Sequence, residues 1–272
     1  YGSNVSMGNL KQACRNSAES DVTILTVGTG AGAEVEETDR RDITLTPEEL
    51  DALKYIRKYA KKLVVVVYAG SAVDLSEFDK LADAVVLAGF GGQSVSQAVA
   101  NVLSGKVNPS GRLTETYACR VADIPSEQTR RDEGRMFYEE RLQVGYRYFA
   151  GAQTPVLYPF GYGLSYTTFQ YAELKVKEQN NGFDVSVQLK NCGQMDGQEV
   201  VQLYVSKKEP MENRPIRELK AFTKVAVKHG ETVQVHIRLD KDAFACYSSE
   251  SHSWYVPEGA FMLQICSDAH TV

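Results

Sequence analysis

Apolar and polar residues follow one pattern in roughly the first 120 residues of the chain and a different one after Phe169. In the first part, short apolar runs typical of buried strands alternate with segments whose apolar side chains recur every third or fourth position, as on one face of a helix. Such alternation predicts an α/β fold with a mainly parallel sheet sandwiched by helices. The predicted strands are Asp21–Val27, Leu63–Val67 and Ala84–Ala88, and the predicted helices are Asn9–Ser20, a segment from Pro47 to Ala60, and one through Val95, Val99 and Leu103.

After Phe169 apolar residues alternate with polar ones at every second position, which is the pattern of half-buried strands. Turns such as Asn180-Asn-Gly182 and His229-Gly230 separate the strands. About seven strands in roughly 100 residues is the count of an immunoglobulin-like sandwich. Six of these predicted strands are Phe183–Leu189, Glu199–Val205, Lys224–Lys228, Thr232–Leu239, Trp254–Val256 and Ala260–Ile265.

Between these two parts lies a charged stretch without clear periodicity, for instance at Arg130-Arg-Asp-Glu133. A long irregular stretch of this kind is usually functional or packs against another domain. We therefore predict an α/β domain at residues 1–125, an irregular interdomain segment at residues 126–170 and an all-β sandwich at residues 171–272.

The composition is that of an ordinary globular protein and argues against two classes of partner. The 272 residues are 43% hydrophobic and 24% charged, with a formal net charge of −5 at pH 7. A negative balance disfavours nucleic acid and anionic membrane surfaces as partners. No apolar run approaches the ~20 residues that a membrane-spanning helix needs.

The five cysteines are odd in number and scattered along the chain. Because they show no Cys-x-x-Cys or Cys/His ligand spacing, we expect no zinc site. Free thiols are typical of a reducing compartment, which predicts a cytoplasmic location. The lack of a signal peptide at Tyr1 does not bear on export if the chain is part of a longer protein.

The segment Gly28-Thr-Gly30-Ala-Gly-Ala33 comes after a predicted strand and formally fits the dinucleotide-binding pattern G-x-G-x-x-(G/A). A dinucleotide site needs a helix N-terminus at this point to hold the pyrophosphate. The next residues are instead Glu34-Val-Glu36-Glu37-Thr-Asp39, whose four carboxylates would repel phosphate groups. We therefore expect no nucleotide site.

The acidic loop from Glu34 to Arg41 has two interpretations. One is a solvated turn, and composition alone favours it. The other is a functional carboxyl group on a loop at the C-terminal end of a parallel strand, where open α/β sheets place their sites. Clustered like charges can raise the pKa of a neighbouring carboxyl, which a general acid near neutral pH needs.

The segment Tyr158-Pro-Phe-Gly-Tyr-Gly-Leu-Ser-Tyr-Thr-Thr-Phe169 predicts a tight glycine turn that runs into a strand and is locked by aromatic packing. It closely resembles the signature that links the last two domains of glycoside hydrolase family 3 enzymes, the β-glucosidases and β-xylosidases. Gly105–Thr114, with its Asn-Pro and Ser-Gly turn formers, also resembles the family and is interpreted as structural. Further similar segments, in the right order, are Ala69–Asp74 and Gly89–Gln93, which are tight turns or the border of a sugar pocket, and Tyr138–Tyr148.

The acidic loop is similar to the E-x-E-G-x-D-R loop of this family. The resemblance implies that Glu36 is the general acid/base, with Glu34 as the fallback if the register is shifted. It also implies that Asp39 and Arg40 are substrate-binding or loop-fixing residues. Glu37 stands where the family usually has glycine, which leaves the shape of the loop open.

The resemblance implies an α/β sandwich domain plus a fibronectin-III-like domain, without the (β/α)8 barrel of the family. Retaining hydrolysis needs a second carboxylate as nucleophile, ~5–5.5 Å from the acid. In this family the nucleophile is an aspartate of the barrel, and a barrel needs ~200 residues or more. The chain is therefore expected to supply the general acid/base of a retaining β-glycosidase, to need no metal or cofactor, and to be inactive alone.

The expected substrates are β-linked glucoside or xyloside oligosaccharides, cleaved at terminal non-reducing sugars. N-acetylglucosaminides are disfavoured, because that branch of the family usually carries its acid/base on the barrel. The other expected partner is the barrel of the same polypeptide, and the form of Tyr138–Tyr148 favours a barrel that lies C-terminal to this segment. A non-catalytic carbohydrate-binding or interaction module derived from the same fold is the alternative.

Overall fold

The computed structural model describes residues 7–30, 33–38, 40, 42–125, 131–132, 134–152, 154–211 and 214–271. The chain divides into two compact units. The first comprises Tyr1–Ala100, Tyr117–Glu127 and Pro155–Leu157, and the second comprises Asn101–Thr116, Gln128–Thr154 and Tyr158–Val272.

Helices and strands alternate in the first half of the chain, and strands dominate the second half. The helices are α1 (Met7–Glu19), α2 (Pro47–Arg57), α3 (Ser76–Leu81), α4 (Val95–Leu103) and α5 (Tyr146–Ala152). The strands are β1 (Thr23–Gly28), β2 (Leu63–Tyr68), β3 (Ala84–Leu87), β4 (Tyr117–Ala118), β5 (Arg131–Asp132), β6 (Arg135–Met136), β7 (Val156–Tyr158), β8 (Phe169–Gln179), β9 (Gly182–Asn191), β10 (Gly197–Lys207), β11 (Glu218–Val227), β12 (Thr232–Asp240), β13 (Cys246–Ser248), β14 (Ser253–Tyr255) and β15 (Phe261–Cys266).

The first unit contains a three-stranded parallel sheet in the order β1-β2-β3. The central strand is the most apolar one, and its Val65, Val66 and Val67 are buried, as is usual for parallel strands. The α/β fold class predicted from hydrophobic spacing is confirmed, together with these three strands and with α1, α2 and α4. Helix α3 was not predicted, because its six residues are too few to show a helical period.

One side chain joins the start of α2 to the end of β1. Thr46 and Glu49 form a capping box, in which the Glu49 N–H donates to Thr46 Oγ1 at 3.3 Å and the Thr46 N–H donates to Glu49 Oε2 at 3.0 Å. The Gly28 N–H donates to the other carboxylate oxygen of Glu49 at 2.9 Å. Because Glu49 is buried, these bonds compensate the desolvation of its carboxylate.

A side chain at position 28 has no room, because the backbone carbonyl group of Tyr68 on β2 lies against this position. We expect Gly28→Ala to push β1 away from β2 and to lower the free energy of unfolding by about 1–3 kcal/mol. Gly30→Ala is the matched control, since no heavy atom lies within 4 Å of a Cβ added there. Urea unfolding followed by circular dichroism at a helical wavelength compares the two variants, and equal midpoints would contradict the close approach of the strands.

The second unit is an antiparallel sandwich. In the described residues its two main sheets have the orders β12-β9-β8 and β11-β10-β15. Alternate residues of β9 and β10 fill one hydrophobic core, namely Val185, Val187, Leu189, Val201, Leu203 and Val205. The predicted all-β sandwich is confirmed. Strand β8 is the strand into which the segment Tyr158–Phe169 was predicted to run, and a shift of register between Ala172 and Lys175 interrupts the alternation of its apolar residues.

The aromatic segment 158–169 is held within the second unit by ring stacking and by Gln202. Tyr158 and Tyr162 stack with ring centroids 5.6 Å apart. The Gln202 side-chain amide donates to the carbonyl oxygen of Gly161 at 3.1 Å. Gly161 has a φ of 82°, and the Gln202 amide fills the space that a side chain would need. The predicted turn that runs into a strand is therefore present, and β8 begins at Phe169.

Asn108 connects the Gly105–Thr114 segment to two neighbouring loops. Its Oδ1 accepts hydrogen bonds from Ser165 Oγ at 2.9 Å and from the Tyr166 N–H at 2.8 Å. Its Nδ2 donates to the carbonyl oxygen of Asp196 at 3.0 Å. All three bonds lie within the second unit, and they support the structural interpretation of this segment.

Arg112, four residues after Asn108, forms a buried ion pair with Glu199 of β10. The distance from Arg112 Nη2 to Glu199 Oε2 is 2.7 Å, and the two side chains are only 8% and 5% exposed. Burial raises the pKa of Glu199, although the neighbouring guanidinium of Arg112 acts in the opposite direction. Arg112 supplies the counter-charge of the buried carboxylate, whose other oxygen accepts a hydrogen bond from the Val200 N–H at 3.1 Å.

The cysteines of the chain are free thiols, and two of them, Cys14 and Cys266, are buried. Burial raises the pKa of the Cys266 thiol to about 11, so it stays protonated at neutral pH. Among the described helices, none combines the length and the apolar character needed to cross a bilayer.

Candidate active site

The acidic loop lies at the edge of the sheet where β1, β2 and β3 end. Because the three strands are parallel, the segments after Gly28, Tyr68 and Leu87 leave the sheet at this same edge. Open α/β sheets bind ligands at the carboxyl ends of their strands. Residues 33–38 form turns there, with an isolated bridge between Val35 and Thr38.

Glu34 ties this loop to the segment after β2. Thr29 Oγ1 donates to Glu34 Oε1 at 2.8 Å. The Gly70 N–H donates to both carboxylate oxygens of Glu34, at 3.0 Å each. The Glu34 carboxylate is thus engaged by a hydroxyl group and a backbone amide, and it fixes the start of the loop relative to β2.

Because Gly70 has no side chain, the side chains of Glu34 and Phe90 both approach its Cα atom. A Cβ at position 70 would collide with the carboxylate end of Glu34 and would lie 2.7 Å from Phe90 Cε2. Phe90 comes shortly after β3 and is 65% exposed. Phe90 belongs to Gly89–Gln93, which its resemblance to the family marked as a tight turn or the border of a sugar pocket. The hydrophobic pattern did not single out Phe90 itself, because one aromatic residue in a turn contributes to no periodicity.

Glu36 and Glu37 occupy the turn between Val35 and Thr38, and both are exposed. Their carboxylates make no hydrogen bond to any other residue that the structure describes. Glu34 and Glu36, the two candidates for the general acid/base, therefore differ clearly. Glu34 is held by the protein, whereas Glu36 is presented to solvent.

Arg40 connects the far end of the loop to the same neighbouring segment. Its Nη2 donates to Ser71 Oγ and to the carbonyl oxygen of Ala72, both at 2.9 Å. The loop is thus attached to the segment after β2 at both ends, through Glu34 and Arg40. Asp39, the other residue predicted to fix the loop, lies outside the described residues.

A nearby carboxyl group, Asp42, has the wrong electrostatics for a general acid. Thr44 donates to Asp42 Oδ1 from its hydroxyl at 2.6 Å and from its N–H at 2.8 Å. These bonds hold the pKa of Asp42 below its ordinary value. Asp42 is therefore ionised near neutral pH and has no proton to donate.

In the part of the chain that the structure describes, no helix directly follows the glycine motif after β1. Residues 33–38 form turns, and α2 begins only at Pro47. No described helix N-terminus therefore lies directly after the motif to hold a pyrophosphate. Searched over the described residues, the side chains also contain no group of three or more His, Cys, Asp or Glu residues arranged to hold a metal ion.

Two family models match the chain. Residues 6–166 match the glycosyl hydrolase family 3 C-terminal domain. Residues 199–269 match the fibronectin type III-like domain. These matches agree with the resemblance found in the sequence motifs, and they place the acidic loop in the first of the two domains.

Several proteins similar to this chain carry the name β-glucosidase. The chain is 37% identical over 261 residues to thermostable beta-glucosidase B of Acetivibrio thermocellus, covering 94% of this chain and 34% of that protein. It is 34% identical over 259 residues to a beta-glucosidase of Kluyveromyces marxianus, covering 94% of this chain and 30% of that protein. The chain thus spans about a third of the length of these curated relatives.

A solved structure shows the same likeness. The chain superposes on a family 3 beta-glucosidase of Bifidobacterium adolescentis with a TM-score of 0.94 and 32% sequence identity. The superposition covers 98% of this chain and 40% of that chain.

Proposed function

The chain belongs to glycosyl hydrolase family 3, and on that premise we propose that it is the acid/base-bearing part of a retaining β-glycosidase. The proposed substrates are oligosaccharides with a terminal non-reducing β-linked sugar. The names of the relatives favour a β-glucoside over a β-xyloside. The chemistry requires no metal or cofactor, because two carboxyl groups suffice for it.

In the proposed mechanism Glu36 is the general acid/base. Its carboxyl group protonates the glycosidic oxygen while a carboxylate nucleophile attacks the anomeric carbon, so that the alcohol leaves and a glycosyl-enzyme ester forms. The Glu36 carboxylate then removes a proton from water, whose oxygen attacks the anomeric carbon and displaces the nucleophile. Two inversions at one carbon preserve the β configuration.

The contrast between the two loop glutamates carries this assignment. An acid/base must reach the glycosidic oxygen and must exchange protons with water. Glu34 is engaged by Thr29 and Gly70, whereas Glu36 is exposed in the turn beyond it. The contacts of Arg40 with the segment after β2 support a role for this residue in fixing the loop.

The nucleophile is proposed to be an aspartate of a (β/α)8 barrel in the same polypeptide, outside this chain. The relatives are about three times as long as the matched region, which leaves room for a domain of that size. The barrel would also supply most of the residues that bind the reacting sugar ring.

We expect the purified chain to fold but not to hydrolyse glycosides. Each unit has its own hydrophobic core, so folding does not require the barrel. A single carboxylic acid without a positioned nucleophile leaves the oxocarbenium-like transition state unsupported on its opposite face. The test is a panel of nitrophenyl β-glycosides at high protein concentration, with the complete protein as the positive control.

Two results would count against the proposal. Turnover by the isolated chain that disappears with Glu36→Gln would show that the chain contains a complete site. A folded complete protein that hydrolyses none of the glycosides would favour the alternative of a non-catalytic carbohydrate-binding or interaction module.

A further inference from the structure

We propose that Phe90 lines the leaving-group side of the substrate site, where its ring stacks against the aglycone. This inference rests on the proposed function and goes beyond the acid/base assignment, because it names the residue that contacts the departing group. Phe90 lies in the first unit together with the acidic loop, and it comes after β3 at the edge where all three parallel strands end.

The first line of evidence is the contact at Gly70. The ring of Phe90 and the carboxylate of Glu34 both lie next to the position that a Cβ atom of residue 70 would occupy. The Gly70 N–H also anchors Glu34, the residue that starts the turn carrying Glu36. The ring therefore borders the acidic loop.

The second line of evidence is the exposure of the ring and the backbone that presents it. A phenylalanine side chain that is 65% exposed loses the favourable free energy of burial, unless something else covers it. Phe90 stands in the segment Gly89-Phe-Gly-Gly92, in which Gly89 and Gly92 have φ values of 59° and 68°. Other residues rarely adopt these values, so the glycines on both sides of Phe90 favour this backbone turn.

The chemistry of the acid decides which part of the substrate meets the ring. A general acid must approach the glycosidic oxygen, and this oxygen leaves with the aglycone. Groups that border the acidic loop therefore border the aglycone rather than the sugar that forms the covalent intermediate. Because a phenyl ring offers no hydrogen bond, it accepts the flat face of an aryl group or of a pyranose ring without selecting hydroxyl positions.

The test compares two substrates that share the sugar and differ in the leaving group. In the complete enzyme we expect Phe90→Ala to lower kcat/KM for nitrophenyl β-glucoside by about three- to tenfold, the range typical of one aromatic contact. The same variant should leave kcat/KM for β-glucosyl fluoride unchanged, because fluoride is too small to reach the ring. Phe90→Tyr should retain the activity of the parent enzyme on both substrates, because it keeps the ring.

Phe222→Ala is the matched control, because Phe222 is 66% exposed and lies on β11 in the second unit. It should affect neither substrate. An equal loss on both substrates with Phe90→Ala, or no loss on either, would overturn the inference while leaving the proposed function intact. A complete enzyme that hydrolyses neither substrate would instead refute the proposed function, and the inference with it.

Discussion

Replacement of Glu36 by glutamine is expected to lower the turnover of cellobiose and alkyl β-glucosides by about 10²- to 10⁴-fold in the complete enzyme. Glutamine has nearly the same size as glutamate but cannot donate a carboxyl proton to the departing oxygen. Poor leaving groups depend on this proton, so their cleavage should be slowed most. Steady-state kinetics on a series of leaving groups measures the effect.

Activated substrates should respond differently to the same change. A nitrophenyl group leaves with little protonation, so its release to form the glycosyl-enzyme should be much less affected by Glu36→Gln. The intermediate should then accumulate, because water has lost its general base. Added azide needs no base and should restore turnover, with a β-glycosyl azide as the product.

Glu37→Gln provides the matched control, because Glu37 is the neighbouring exposed carboxylate of the same turn. It should retain the activity and show no azide rescue. If Glu36→Gln is equally impaired on all substrates, or is fully active, the assignment of Glu36 is wrong. Azide rescue of Glu34→Gln would then transfer the acid/base role to Glu34.

The second large effect concerns stability, at the buried pair of Arg112 and Glu199. We expect Arg112→Ala to lower the free energy of unfolding by about 3–5 kcal/mol, because it leaves a carboxylate buried without its partner. The exposed pair of Arg238 and Asp240 provides the control, with side chains that are 62% and 65% exposed. Arg238→Ala should lower the free energy of unfolding by less than about 1 kcal/mol, since water already screens this pair. If chemical denaturation gave equal decreases in the free energy of unfolding for Arg112→Ala and Arg238→Ala, burial would not be the reason for the larger effect expected at Arg112.

The loss caused by Arg112→Ala should depend on pH. Burial already raises the pKa of Glu199, and removal of the guanidinium raises it further. A carboxyl group whose pKa is higher in the folded than in the unfolded state binds more protons when folded. The free energy of unfolding therefore falls as the pH rises from the pKa of the unfolded state to that of the folded state. The difference in the free energy of unfolding between Arg112→Ala and the parent protein should therefore be smaller at about pH 5 than at about pH 8. A double variant with Glu199→Gln should recover part of the loss at the higher pH.

Local sequence patterns were sufficient for the fold class and for most elements. Both faces of β2 are buried, so nearly every residue of this strand is apolar. In β9 and β10 mainly one face is buried, so apolar residues recur at every second position. The start of α2 was predicted from local sequence as well, because Pro47 suits the first helical position and Glu48 and Glu49 suit the first turn. The acidic loop was also found from sequence, through its clustered carboxylates and its resemblance to a family motif.

Local patterns failed where an element carries no periodic burial or is too short to show it. The length of strand β8 could not be predicted from periodicity, because the strand belongs to its sheet through backbone pairing with β9 while most of its side chains are exposed. Helix α5, of seven residues, lies in the segment predicted to be irregular. Its Tyr146 is held by distant residues, since its hydroxyl accepts a hydrogen bond from the Leu219 N–H at 2.8 Å.

Neighbouring residues along the chain were thus enough to predict the two kinds of domain, the order of the main elements and the loop that holds the candidate acid. Contacts between distant residues show which glutamate of that loop is held and which is exposed. The tertiary structure alone placed Phe90 beside Gly70 and joined Arg112 to Glu199. The reason is physical, because periodicity and capping depend on neighbours in the chain, whereas these contacts depend on strand register and chain reversals that bring distant residues together.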